Sequence, residues 1–221
     1  MAAGFTFDWK REARTGVSEA VLCTGKTPAQ IDAILAEAAA ARRRLLLTRL
    51  DRALFESLDP AACAALDYDP LSRTAILGDA PPERLKAAVG IVCAGTSDLP
   101  VAEEARRTLA FHGVETPDAI ADVGVAGLWR LMERLPELRA CRVVIAVAGL
   151  EGALFSVLAG LIEGLVIAVP RSVGYGVAAG GHAALNAALA SCAPGVVVVN
   201  IDNGFGAACA ALKIVRGMDG R

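Results

Sequence analysis

The thiol of Cys192 lies in SCAPGVVVVNIDNGFG, residues 191–206, the stretch of this chain most crowded with chemically capable groups. A thiolate is a nucleophile, and Asn200, Asp202 and Asn203 beyond the four valines can hold a polar substrate. Glu151 follows AVAG, after Gly149, in the first turn of an apolar helix. It can transfer protons; equally, the helix dipole can stabilise it by about 0.3–1 kcal/mol without any catalytic role. Gly95, Thr96, Ser97 and Asp98 end another apolar run as AGTSD, which is neither GxGxxG nor a P-loop. Its N–H groups can cradle an anion and Asp98 can bind ribose hydroxyls, or Ser97 and Asp98 simply cap the next helix. Gly174, Tyr175 and Gly176 in RSVGYG form a lid or an ordinary crossover loop, with Tyr175 able to stack on a ring. Open α/β sheets place ligands beyond the carboxyl ends of their strands, and Asp98, Glu151 and Cys192 are expected to meet at that edge. The carboxyl end of a helix does not favour a thiolate, so a cationic substrate ring would have to.

The elements that position these groups follow from periodicity and caps. KTPAQIDAILAEAAAARRR starts a helix with Thr27 as cap, Pro28 in its first turn and Gln30 closing a capping box. RLLLTRL reads as a short buried strand and 51–65 as a helix. The turn-rich segment 67–84, with Pro81 and Pro82, divides an N-terminal module, 1–83, from a main domain, 84–221. From residue 88 strand and helix alternate. Strands are expected at 88–95, 118–123, 141–149, 165–170 and in VVVVNI; helices in PVAEEARRTLAFHG, GLWRLMERL, 152–162, 178–190 and 206–216. This predicts an α/β fold: a parallel sheet covered by helices on both faces, preceded by a small α/β module.

Composition narrows the partners. With 22 basic and 24 acidic residues, net −2, nothing favours a nucleic acid or an anionic membrane. Hydrophobic content is 55% but aromatic content only 5%, so Ala, Val and Leu must build the core. No Asp, Glu, Lys or Arg occurs from Ser172 to Ile201, yet glycines, His182, Asn186 and Pro194 interrupt the run, which favours a buried core or subunit interface over a membrane span. MAAGFTFDWKREAR has no apolar signal region, and the six cysteines show no CxxC pattern. A reduced, cytoplasmic protein is expected.

Taken together, AGTSD, AVAGLEG, PRSVGYG and SCAPGVVVVNIDNGFGAA resemble the LarB family, the pyridinium-3,5-biscarboxylic acid mononucleotide synthases of nickel-pincer cofactor biosynthesis. DWKREARTGVSEAVLCTGKT and TRL at 48–50 extend the resemblance almost end to end, although GVSEAVL lacks the family's usual proline and aromatic. The main domain is in turn similar to the aminoimidazole ribonucleotide (AIR) carboxylases, which implies a three-layer sheet and a homo-oligomer, an octamer by that likeness. The resemblance implies carboxylation of C5 on the nicotinate ring of nicotinic acid adenine dinucleotide by CO₂ or bicarbonate, followed by release of AMP. Cys192 would be the nucleophile and Glu151 the proton-transfer carboxylate. Gly95, Thr96, Ser97 and Asp98 would hold ribose and phosphate. The turn at Gly149, the loop Gly174–Gly176 and residues Asn200, Asp202 and Asn203 would shape the ring and CO₂ pocket. Mg²⁺ is implied for anhydride cleavage, with ligands unassigned. Two alternatives remain open: an AIR carboxylase or mutase, though the region near Asp122 lacks the purine enzymes' SAHRTP-like string, and a non-catalytic nucleotide-binding protein.

Overall fold

The computed structural model describes residues 5–79, 81, 85, 86 and 88–218. Chain contacts divide it into two units, Met1–Glu83 with Phe111–Gly113, and Arg84–Ala110 with Val114–Arg221.

The first unit begins with a short helix α1 (Arg11–Thr15) and strand β1 (Ala20–Leu22), followed by α2 (Pro28–Ala40) and β2 (Leu45–Thr48). The capping box is formed: Thr27 accepts the Gln30 N–H, and Gln30 accepts the Thr27 N–H at 2.9 Å. Such a cap is worth about 1 kcal/mol. Residues 51–65 form two short helices rather than one, α3 (Arg52–Glu56) and α4 (Pro60–Ala65), because Asp51 and Asp59 each cap a new start. The first part of the segment read as a turn-rich boundary builds a hairpin, β3 (Leu66–Asp69) and β4 (Thr74–Leu77), ahead of the division between the units; Ala80 and Pro82 lie outside the described residues. The mixed sheet has the order β1-β2-β4-β3, with β1 and β2 parallel. Ile31, Ile34, Leu35 and Ala38 of α2 pack with Leu45 and Leu47 into its core.

The second unit adds β5 (Leu85–Lys86), β6 (Val89–Cys93), α5 (Leu99–Phe111), β7 (Val114–Glu115), α6 (Leu128–Arg139), β8 (Val143–Ala148), α7 (Ala153–Ala159), β9 (Leu165–Pro170), α8 (His182–Leu189), β10 (Val196–Val198) and α9 (Gly204–Met218). Its main sheet is parallel throughout, in the order β10-β9-β8-β6. The strand expected at 118–123 is reduced to one bridge, Ile120 to Val92, on the free side of β6. Counting that bridge, the order is 2-1-3-4-5, and the winding reverses between β6 and β8. Alternate side chains serve opposite faces. Val92, Val144, Ala146, Val166 and Ala168 pack with Leu131 and Leu138 of α6, Phe155 and Leu158 of α7, and Ala184 and Ala188 of α8. The other face holds buried Ile91, Ile145 and Ile167, and α9 packs there on β8 and β9. The expected helices at 152–162 and 178–190 are shorter, α7 and α8, with a 3₁₀ turn from Gly176 to Gly181 ahead of α8.

Candidate active site

A cavity of about 460 Å³ opens off the carboxyl ends of β6 and β8, at the point where the winding reverses. Doubly wound sheets leave a crevice there because neighbouring crossovers depart to opposite faces. Of the residues singled out in the sequence, Gly95, Ser97, Asp98, Gly149, Glu151, Gly174 and Tyr175 line it. Ala94, Val125, Leu150, Leu154 and Val173 supply apolar wall, and the volume suits a ring-sized ligand. Thr96, Gly176, Cys192, Asn200, Asp202 and Asn203 do not line it.

Backbone proximity shapes the rim. A Cβ at Gly149 would stand 2.4 Å from the Val173 carbonyl oxygen, and one at Gly174 would stand 2.4 Å from that of Ala178. Only glycine lets the loops after β8 and β9 approach so closely. Tyr175 is 80% exposed at the mouth, close in sequence to Val173 and Val177, which are also exposed.

Asp98 is 4% exposed and faces inward on the protein itself. Its Oδ2 accepts the Gly95 N–H at 2.9 Å, which folds the AGTSD turn into a 3₁₀ start for α5. Burial raises its carboxyl above the ordinary value, while the Gly95 N–H and Arg171 oppose that rise. Arg171, at the end of β9, joins three loops: its Nε is 3.6 Å from Asp98 Oδ1, its Nη2 donates to the Ser97 carbonyl at 3.3 Å, and its Nη1 pairs with Asp202. Asp202 also accepts the Ser172 N–H at 3.0 Å. Burial works to raise its carboxyl too, but the Ser172 hydrogen bonds and Arg171 bring it below the ordinary value. Removing one member of such a buried cluster costs about 3–5 kcal/mol. Asp98 and Asp202 therefore hold the carboxyl-edge loops together. Asn203 caps α9, accepting the Gly206 N–H at 2.8 Å, and Asn200 accepts the Ile201 N–H at 2.8 Å.

Glu151 is exposed at the cavity wall, carried by the turn after β8. Arg130 lines the cavity from α6, pairs with Asp122, and keeps a buried Nε without a hydrogen-bond partner. A Cβ at Gly127 would stand 2.7 Å from that Nε, so the glycine makes room for the guanidinium. Arg171 is not singled out by the sequence because it follows an apolar strand and its acidic partners are distant in sequence, and Arg130 because it is one of several charged residues of α6. His112 is buried, edge-on to Phe111, and His182 is exposed.

The expectation that Cys192 shares an edge with Glu151 is corrected. Cys192 precedes β10, and Gly195 already accepts the Val166 N–H at the start of β9, so the thiol lies towards the amino edge of the sheet. Glu151 follows β8 at the carboxyl edge. The six residues of β9, at about 3.3 Å each, measure the separation of those edges. Cys192 is the exposed member of the six free cysteines. Burial pushes the thiols of Cys23, Cys93 and Cys209 up to about 12.

Among the described residues no three His, Cys, Asp or Glu side chains gather into a metal-binding group. Asp98 and Asp202 are both engaged by Arg171, so these two carboxylates do not fit a resident Mg²⁺ site among the described residues.

Residues 88–220 match the family described as AIR carboxylase, and residues 3–79 match that described as LarB/PurE-like N-terminal domain. An uncharacterized protein of Methanocaldococcus jannaschii is 52% identical over 122 residues, covering 54% of this chain and 46% of that protein. The chain thus spans about half the length of the curated relative it matches. The crystal structure of PurE2 from Treponema denticola aligns with a TM-score of 0.46 at 20% identity, over 61% of this chain and 92% of that one.

Proposed function

The chain belongs to the LarB family, with an AIR carboxylase-type domain behind its N-terminal module, and on that premise we propose that it carboxylates the nicotinate ring of nicotinic acid adenine dinucleotide and releases AMP. The observation that carries this reading is the switch-point cavity, a largely apolar slot for a flat ring whose described wall holds one guanidinium, Arg130, and two carboxylates, Asp98, which is buried against Gly95 and Arg171, and the exposed Glu151.

A pyridinium ring is electron-poor, so its C5 does not attack CO₂ unaided. The Cys192 thiolate adds at C4 and converts the ring to a dihydropyridine, in which C5 is the nucleophilic carbon of an enamine. C5 attacks CO₂, Glu151 removes the C5 proton, and the nitrogen lone pair expels the sulfur, restoring both pyridinium and thiolate. The ring loses one proton and gains one carboxylate. Water then opens the phosphoanhydride. Arg130 receives the substrate's carboxylate or phosphate, and the Tyr175 loop covers the ring. A Mg²⁺ ion, were it required, would be held mainly by the substrate's phosphates and water and would polarise the anhydride for cleavage.

Because Cys192 and Glu151 stand at opposite edges of one sheet, the reading assigns them to neighbouring copies in a homo-oligomer, with an octamer as the expected assembly. Both edges expose apolar side chains for a second copy to cover: Leu189 and Val197 flank Cys192 in the chain, while Leu150 and Tyr175 border the cavity. The test incubates the protein with nicotinic acid adenine dinucleotide, bicarbonate and Mg²⁺. AMP and a mononucleotide heavier by one carboxyl group are expected, and neither from Cys192→Ala. Carboxylation of aminoimidazole ribonucleotide instead would place the chain with the purine enzymes.

A further inference from the structure

The N-terminal unit holds a second polar cavity, of about 460 Å³, for which the carboxylation proposal has no use. Three loops meet there. One leaves the carboxyl end of β1 and carries Cys23 and Lys26; another leaves β2 and carries Arg49 and Asp51; the β3–β4 turn supplies Arg73. Backbone bonds lock them together: the Cys23 N–H donates to the Thr48 carbonyl at 2.9 Å, and the Leu50 N–H to the Arg73 carbonyl at 2.9 Å. The cavity therefore lies off the carboxyl ends of a parallel strand pair joined by the α2 crossover, the position at which α/β units gather ligands.

Its charge is one-sided. Lys26, Arg49 and Arg73 line it against a single carboxylate, Asp51, which is engaged in capping α3 by accepting the Leu54 N–H at 2.8 Å. The first turn of α2 is closed by its own capping box, so the donors facing the cavity are cationic side chains rather than a helix end.

The backbone supplies a second, independent sign. Arg49 and Arg73 both sit in the left-handed region, with φ of 55° and 54°. Glycine or asparagine reaches that region at lower cost, and Arg42, which does not line this cavity, is the other arginine found there, with φ of 51°. Strained residues persist where their side chains are required at a site.

We propose that this cavity binds a phosphate group of a small phosphorylated ligand. Two guanidinium forks match phosphate oxygens bidentately, and the Lys26 ammonium adds a point charge. The proposal stands apart from the carboxylation chemistry and from Cys192.

Calorimetric titration of the full chain with inorganic pyrophosphate and with AMP tests it, alongside Arg49→Gly, Arg73→Gly and Lys26→Ala. Glycine relieves the left-handed backbone, and the melting temperature of each unliganded variant is measured alongside, so that lost binding is read only from variants that remain folded. Saturable, salt-sensitive binding by the parent, weakened about tenfold or more in each glycine variant, is the expected result. Equal binding by the parent and both glycine variants overturns the proposal. So does the absence of saturable binding for either compound, or a stronger response to a short RNA or DNA strand than to both.

Discussion

Asp98 and Asp202 show how one arginine can serve two carboxylates that titrate in opposite directions. Asp202, held below its ordinary value, contributes stability above the usual carboxylate range and loses it as pH falls through its folded value. Asp98 has the reverse sign. Its folded value is raised, so as pH climbs past the ordinary range the unfolded chain releases that proton first and the native state loses stability until the buried group ionises too. Asp98→Asn is expected to abolish this decline. Urea midpoints measured from about pH 4 to 7 should fall for the parent relative to the variant, and parallel profiles would contradict the assignment. The cysteines divide five to one: burial raises the Cys63 and Cys141 thiols as well as the three pushed to about 12, while Cys192 is exposed.

Loops at the carboxyl edge behave as a single element, held by Arg171 and by the close approach at Gly149. Gly149→Ala places a Cβ within 2.4 Å of the Val173 carbonyl, a backbone atom that can retreat only by moving the Tyr175 loop. A loss of about 1–3 kcal/mol in stability is expected, together with a greater than about tenfold fall in kcat/KM. Unchanged kinetics would mean that the loop does not shape the ring pocket. Much at this scale was legible beforehand, because caps and continuous apolar runs report local physics: Thr27 and Gln30 start α2 where expected, and LVIAVP is β9 residue for residue. The strand at 118–123 was over-read, since Ile120 alone keeps register with β6. The β3–β4 hairpin was under-read, since LDYD carries the acidic, polar look of a loop and finds its strand form only by pairing with Thr74–Leu77. Even the position of Cys192 was encoded in chain order. A residue that precedes a parallel strand belongs to the amino edge, whereas the polar loop beyond β10 belongs to the carboxyl edge. Arg171 and Arg130 were not legible, because partners such as Asp98 and Asp202 become neighbours only when the sheet closes.

At the scale of the whole molecule, the separation of thiol and carboxylate demands a second copy if both act on one ring. Among the described residues no helix is long and apolar enough to cross a membrane. Co-expressing Cys192→Ala and Glu151→Gln chains with different tags, then isolating mixed oligomers, separates sharing between copies from action within one chain. Each variant alone should be inactive, and the mixed assembly should recover a measurable fraction of parental turnover. Mixed oligomers without turnover, or a monomeric parent that remains active, would rule out the shared site. Beneath this lies the sulfur–carbon bond itself, which intact-protein mass spectrometry with peptide mapping can detect. The protein is mixed with nicotinic acid adenine dinucleotide while CO₂ is withheld, then quenched. The peptide containing Cys192 is predicted to carry the ring-bearing nucleotide, with the peptides of the other five cysteines unmodified. An unmodified Cys192 in a preparation that carboxylates the ring once bicarbonate is restored would contradict the account.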